Sequence, residues 1–469
     1  MGKYKNLLVN LGVFALSTVA TRLITFLLVP LYTYNMSTGE FGITDMALTV
    51  VTLCVPLTTL SISDAALRFV IDDKENKEAY ISIGFCVMLL SCLIVAALLP
   101  LLDLSFFGGL GNYKLLFFFL YVTNAFLNFH GNIARSLNQL KLITWDAITA
   151  SFLTAIGAFI FISIYHLGVE GYFYSLILGS GVGILIFEIF GRHFSFITLL
   201  NKSDKALVKR MFVYAIPLIP NSLFWWVGTS INRFFITGML GIAASGLFAA
   251  ASKIPNLLNI VYNIFQTAWT LSAFQEFKKD DVSKFFSTVL MMLQALMGIG
   301  ASCLIVLTPW LAKFLLQKDF FSSWTLIPVL ILAFYFNALN SFYGTVFTTT
   351  LKTATLFTTT TFGAITSVFF TWILIPVLGL YGPCLAMVIG NFAVFVLRVF
   401  ASRRIMVIKI NYVQFLSVIV VLVLLVFIMV LRCPFYIETA VSLIIVLTII
   451  QMICFYPYLK RMLPKLKRS

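Results

Sequence analysis

Three basic residues sit inside long apolar runs: Arg22, Arg233 and Lys253. A charge at membrane depth costs at least about 2.5–3.5 kcal/mol on insertion scales. At about 1.5 Å of rise per helical residue, Arg22 lies roughly 18 Å below Tyr34, and Arg233 and Lys253 roughly 10 Å from the outer ends of their runs. Each must snorkel to the interface, meet a partner or face a wet cavity. Asp45, about one turn into its run, is placed to pair with one of the three, which leaves two without a carboxylate. A cavity lined this way is net positive in its outer half and suits phosphate or carboxylate, with arginine offering a planar two-point fork.

Further groups sit near span ends. Asp64 and Arg68 are spaced i,i+4, which reads either as a local ion pair or as Arg68 drawing phosphate in from the inner side. Glu188 reads as a snorkelling end residue or a coupling-ion site, and Asp45 and Asp64 are the other candidates for ion coupling. Pro30, Pro56, Pro217, Pro220 and Pro255 fall in the runs that carry the deep charges; they kink helices by removing a hydrogen bond, either as gates or as packing bends. His130, His166 and His193 show no metal-ligand spacing, and the seven cysteines show no paired spacing. The only Gly-Lys pair is Gly2-Lys3, so there is no P-loop. No metal, cofactor or catalytic residue is expected.

The elements that carry these residues must be membrane helices. Of 469 residues, 61% are apolar and 10% charged, against roughly 25% charged in soluble domains. Apolar runs of about 20 residues, long enough for a bilayer core, recur along the chain, and helices satisfy their own backbone in lipid. We read about 14 spans, the first near 7–34, the second near 43–67, the seventh and eighth near 212–238 and 246–268, the last near 439–456. The first is too long for the apolar core of a signal peptide. With the N-terminus inside, 25 of the 32 lysines and arginines fall on the inner side, and only Lys114, Lys313, Lys318 and Arg432 on the outer. Both termini are therefore expected in the cytoplasm, with the chain multi-pass in the cell membrane. The net charge of +15 is explained by these loops, not by nucleic acid.

A repeat is visible. Leu167-Gly168-x-x-Gly171 with Gly179 matches Leu378-Gly379-x-x-Gly382 with Gly390, and Lys141 matches Lys352, all at one offset; Gly42 matches Gly246 at nearly the same one. The unit holds six spans, an even number, so the repeats are parallel, as in transporters with a central site. The expected organisation is a six-helix bundle over 1–200, a second over 201–408, and two further helices with a basic tail over 409–469.

With that frame the chain resembles the Wzx-type polysaccharide flippases of the multidrug/oligosaccharidyl-lipid/polysaccharide (MOP) exporter superfamily. The resemblance rests on Arg22 to Pro30-Leu31-Tyr32, Gly39-Glu40-Phe41-Gly42, Tyr214-Ala215-Ile216-Pro217, Asn232-Arg233-Phe234-Phe235, Gly246 to Ala251 with Lys253-Ile254, and Leu374-Ile375-Pro376 with Leu378-Gly379-Leu380-Tyr381-Gly382. Where the family commonly has Asp before the span-seven arginine, this chain has Asn232. The resemblance implies two six-helix bundles around a V-shaped, MATE-like cavity, with spans thirteen and fourteen bordering a lipid tail. It implies movement of an undecaprenyl-diphosphate-linked saccharide between leaflets, with membrane lipids and the polysaccharide polymerase and glycosyltransferases as partners. Arg22, Arg233, Lys253 and Arg68 become the candidate phosphate ligands.

Three other readings remain. A lipid II or teichoic-acid precursor flippase differs only in head group. A MATE-like multidrug or cation antiporter should carry deep carboxylates, which are scarce here. A membrane glycosyltransferase or polymerase needs acids on a sizeable loop, and the longest outer loop, around Thr308 to Ser323, holds only Asp319.

Overall fold

A computed structural model describes residues 21–198, 205–277, 281–350, 352–431 and 435–466. The first half of the expected first span, and Arg432 in the outer charge set, lie outside these residues. The described chain is helical throughout, with no strand. Among the described residues, twelve helices are long and apolar enough to cross a membrane, so the molecule is an all-α, multi-pass membrane protein. The expected span near 246–268 is absent from the twelve: Ile242–Ala251 and Asn256–Glu276 are separate helices, with Pro255 immediately before the second, the first of them short and the second diluted by Asn256, Asn259, Asn263 and Gln266. The count of 14 is thus approximate.

Contacts divide the chain into an N-terminal unit, Met1–Ala249, and a C-terminal unit, Ala250–Ser469. The Lys318–Thr349 span is the centre of the second unit, with 78% of its apolar window buried, whereas only 17% of the Leu140–Ile164 window in the first unit is buried. Leu93, Phe190 and Val377 are exposed on apolar helices; in a soluble protein such a surface would aggregate, and in a bilayer it is the lipid face.

Local chemistry sets the breaks. Pro217 separates Lys205–Ala215 from Leu218–Ser230, whose first turn holds Pro220. Pro56 lies inside Thr38–Thr58, and that helix ends two residues later. Leu60 and Ser61 then take left-handed conformations before Ile62–Asp72 begins. The expected span near 43–67 is therefore two helices: the ladder carries through Pro56 and ends where Leu60 and Ser61 turn left-handed. Pro30 instead sits in the first turn of Val29–Asn35, where no donor is lost.

Glycines of the two matching sequence stretches have similar surroundings. Gly168 and Gly379 have φ of +53° and +54°, the left-handed turn that lets one span end and the next begin. A Cβ on Gly171 would meet the Phe161 backbone at 3.0 Å, and one on Gly382 the Leu374 backbone at 2.7 Å. Each glycine thus brings the helix after the turn close against the helix before it.

Candidate functional site

The Gly39-Glu40-Phe41-Gly42 stretch builds the N-terminal end of the site. Ser37 caps the Thr38–Thr58 helix by accepting from the Glu40 N–H, and Glu40 Oε2 accepts from the Ser37 N–H at 2.7 Å. This capping box satisfies two orphan donors. Phe41 is buried beside Tyr32. Gly42 lets the helix touch Ile242–Ala251: a Cβ there would collide with the Ile242 carbonyl and come within 3.1 Å of the Gly246 N. One turn further on, Asp45 faces the same neighbourhood.

Asp45 and Arg233 form an ion pair, with side chains 8% and 19% exposed. The Arg233 Nε donates to Asp45 Oδ2. Two features fix the helices involved. Trp226, buried on Leu218–Ser230, donates its indole N–H to the Thr49 carbonyl at 3.0 Å. Arg233 itself lies in the first turn of Asn232–Leu240. The carboxylate missing from position 232 is thus supplied by a residue distant in sequence.

The other candidates are placed as follows. Arg22 is exposed in the helical segment 21–27 and makes no ion pair among the described residues. Arg68 is ion-paired at 2.9 Å with Asp72, one helical turn ahead. The expected Asp64–Arg68 pair is replaced by this one because Asp64 looks the other way. Asp64 accepts from Asn132 Nδ2 at 3.4 Å, and Asn132 Oδ1 accepts from Arg135 at 3.0 Å. Asp64 also lines a polar cavity of about 250 Å³ with Thr52, Pro56, Thr59, Ser61 and Asn128, opened where the second span breaks. Lys253 belongs to the C-terminal unit and lies in the gap between Ile242–Ala251 and Asn256–Glu276, beside Pro255.

Glu188 does not simply end a span. Its Oε2 accepts from the Phe194 N–H at 2.8 Å, and its Oε1 lies 3.3 Å from His130 Nδ1. His130 and His193 meet with their Nδ1 atoms 3.1 Å apart. His193, in the turn after the helix, is fully enclosed, and that burial holds its pKa down at about 4, so the ring is neutral at neutral pH.

Two residues were not visible as site candidates. Asp146 is buried, and its Oδ1 lies so close to Gly183 that a Cβ there would collide with it. Arg398, one of the 25 basic residues assigned to the inner side, is 6% exposed within the Tyr381–Ser402 helix. It donates to the Asn340 carbonyl at 2.6 Å, to Thr360 Oγ1 at 2.9 Å and to Thr359 Oγ1 at 3.2 Å. The threonine-rich run at the start of Thr353–Leu378 was the one sequence signal for it.

The arrangement has counterparts among solved structures. A structure described as the lipid II flippase MurJ, inward closed conformation, superposes with a TM-score of 0.73 at 16% identity, covering 95% of this chain and 99% of that one. An inward-facing multidrug resistance MATE family transporter of the MOP superfamily gives 0.69 at 15% identity, covering 82% and 94%. A MOP superfamily transporter from Pyrococcus furiosus, described by the reversed polarity of its binding pocket, gives 0.57 at 18% identity, covering 85% and 93%. No curated sequence matches the chain. The fold is that of the MOP superfamily transporters. Residues 7–274 match the model of the family described as polysaccharide biosynthesis protein, and the chain belongs to that family. The solved structures whose fold it shares are described as a flippase and as transporters.

Proposed function

We propose that this protein is a flippase that moves a polyprenyl-diphosphate-linked oligosaccharide, the repeat unit of a cell-surface polysaccharide, from the inner to the outer leaflet of the cytoplasmic membrane. The observation that carries this is membership of the polysaccharide biosynthesis family over more than half of the chain, on a fold shared with exporters. A tail of about 55 carbons gains roughly 0.8 kcal/mol per buried CH₂ and stays in the bilayer. Only the head group crosses. Arg22, Arg68, Arg233 and Lys253 hold its phosphates at successive points, and the breaks at Pro56, Pro217 and Pro255 let the helices part. The repeats over 1–200 and 201–408 form the two bundles, the helices of 409–469 border the tail, and both termini are cytoplasmic.

A diphosphate carries about two negative charges, and moving each outward down an inside-negative potential gains about 2.3 kcal/mol per 100 mV. The potential then drives net export without a nucleotide site. The test is reconstitution in liposomes with a labelled lipid-linked oligosaccharide and an imposed potassium-diffusion potential. Flipping should follow the sign of the potential. Flipping that ignores it and follows a sodium or proton gradient rejects the electrophoretic drive and turns attention to Asp64 and Glu188. No flipping of any polyprenyl-diphosphate saccharide, with uptake of organic cations instead, favours the antiporter reading.

A further inference from the structure

We propose that His130, Glu188 and His193 form a binding site for one divalent transition-metal ion of the zinc type. The site closes the ends of the Lys114–Ser136 and Gly168–Gly191 helices onto the turn that follows. It is independent of the transport reading.

The separations fit. The three ligand atoms lie within 4.8 Å of one another. His130 Nδ1 is 3.1 Å from His193 Nδ1 and 3.3 Å from Glu188 Oε1. A tetrahedral ion with bonds of about 2.0–2.2 Å holds its ligands about 3.4 Å apart. The ring centroids are 5.3 Å apart and their planes 23° from parallel, so the imidazoles meet edge to edge. Without a metal, a single proton fits between the facing nitrogens. A cation replaces that proton after a small turn of the two rings, and it also satisfies Glu188 Oε1, which has no hydrogen-bond donor.

The surroundings prepare these atoms as ligands. Gln139 donates to the Gly191 carbonyl at 3.4 Å, so its Oε1 is the atom facing His193 Nε2 at 2.9 Å. That contact places the His193 proton on Nε2 and leaves Nδ1 with a free lone pair, the arrangement in which a ligand histidine is held by an outer partner. Glu188 is held in the same way, its Oε2 taken by the Phe194 N–H. Gly191 leaves room for the ring, since a Cβ there would lie 2.8 Å from His193 Nε2. Phe187 packs against both imidazoles, at 6.3 Å from His130 and 5.5 Å from His193. Both histidines are 1% exposed and Glu188 11%, so access is from the Glu188 side, where a water completes the coordination. Two neutral imidazoles and a carboxylate are a donor set typical of zinc rather than of calcium or magnesium, which take oxygen.

The alternative is a hydrogen-bonded cluster that packs two helix ends and binds nothing. The full chain, purified in detergent without a polyhistidine tag, separates the two when titrated with Zn²⁺ and with Co²⁺. One ion per chain should survive gel filtration, and Co²⁺ should give the visible bands of a four-coordinate site. Glu188→Gln and His130→Gln should each weaken binding at least about 100-fold, and Gln139→Ala, which keeps all three ligands, about 10- to 100-fold. Zn²⁺ should raise the Tm of the native chain and not that of Glu188→Gln. If His130→Gln does not fold, the isosteric Glu188→Gln decides by the same titration. No stoichiometric ion on the native chain, or equal binding by a folded Glu188→Gln chain, overturns the proposal.

Discussion

Asp45 and Arg233, 188 residues apart in sequence, are ion-paired inside the N-terminal unit. Breaking a buried pair by removing one partner leaves a charge without compensation, at a cost of about 3–5 kcal/mol, somewhat less here because Arg233 keeps some solvent contact. Arg233→Ala or Asp45→Ala alone should lower the Tm and abolish export. The double variant separates two roles. If Arg233 only anchors Asp45, Asp45→Ala/Arg233→Ala regains export along with stability. If Arg233 also binds phosphate, the double variant regains stability and stays inactive, which is the outcome we expect.

Arg22 has no such partner among the described residues and is exposed. Its loss should therefore leave stability and insertion unchanged while export fails. Arg22→Lys should not restore export, because a point charge does not replace the planar fork. Normal export by Arg22→Ala at normal expression would remove it from the substrate path.

Arg398 makes the opposite prediction. Its three hydrogen bonds join the Tyr381–Ser402 helix to an Asn340 carbonyl and to two threonines of Thr353–Leu378. Arg398→Ala strands a buried carbonyl and should cost about 3 kcal/mol, read as a fall in Tm in detergent. Arg398→Lys should also be destabilised, since one ammonium cannot serve acceptors on two helices. A Lys variant as stable as the native chain would reduce the guanidinium to filler.

Outside the spans, Asp73 gives a pH signature. Its carboxylate accepts from Asn76 Nδ2 at 3.0 Å and from the Tyr80 hydroxyl at 3.1 Å, with Arg210 3.8 Å away. The Asn76 hydrogen bond is the main cause that holds its pKa below the usual 3.8. Because the folded value is the lower one, its contribution is full above the unfolded value and is lost as pH falls through the folded one. The Tm difference between the native chain and Asp73→Asn should therefore persist at neutral pH and vanish in acid below about pH 4. A difference that grows in acid would contradict the assignment.

Much of this was legible in the residues. Apolar runs and the placement of Lys and Arg fixed the class, because lipid allows few alternatives to a helix. Asp45 was recognisable as a partner for one deep cation, since a lone acid in an apolar run needs one. The breaks were less so: Pro217 and Pro255 marked two, but the left-handed Leu60-Ser61 step after Pro56 carries no glycine to announce it. Arg398 counted only as an inner-side charge because its acceptors are a carbonyl and hydroxyls, which composition does not count. The His130–Glu188–His193 cluster was invisible because its ligands come from two helices and a turn, and only the left-handed Arg192 after Gly191 swings His193 back onto the other two.

The contact between Gly42 and Gly246 couples two positions that are far apart in the chain. A Cβ on Gly246 would come within 2.9 Å of the Gly42 N, and one on Gly42 would collide with the Ile242 carbonyl. Backbone lies against backbone there, so a side chain at either position would wedge the Thr38–Thr58 and Ile242–Ala251 helices apart. Neither glycine can drift to a larger residue while the other helix stays in place, and the two positions are constrained together although only one of them stands one turn before Asp45.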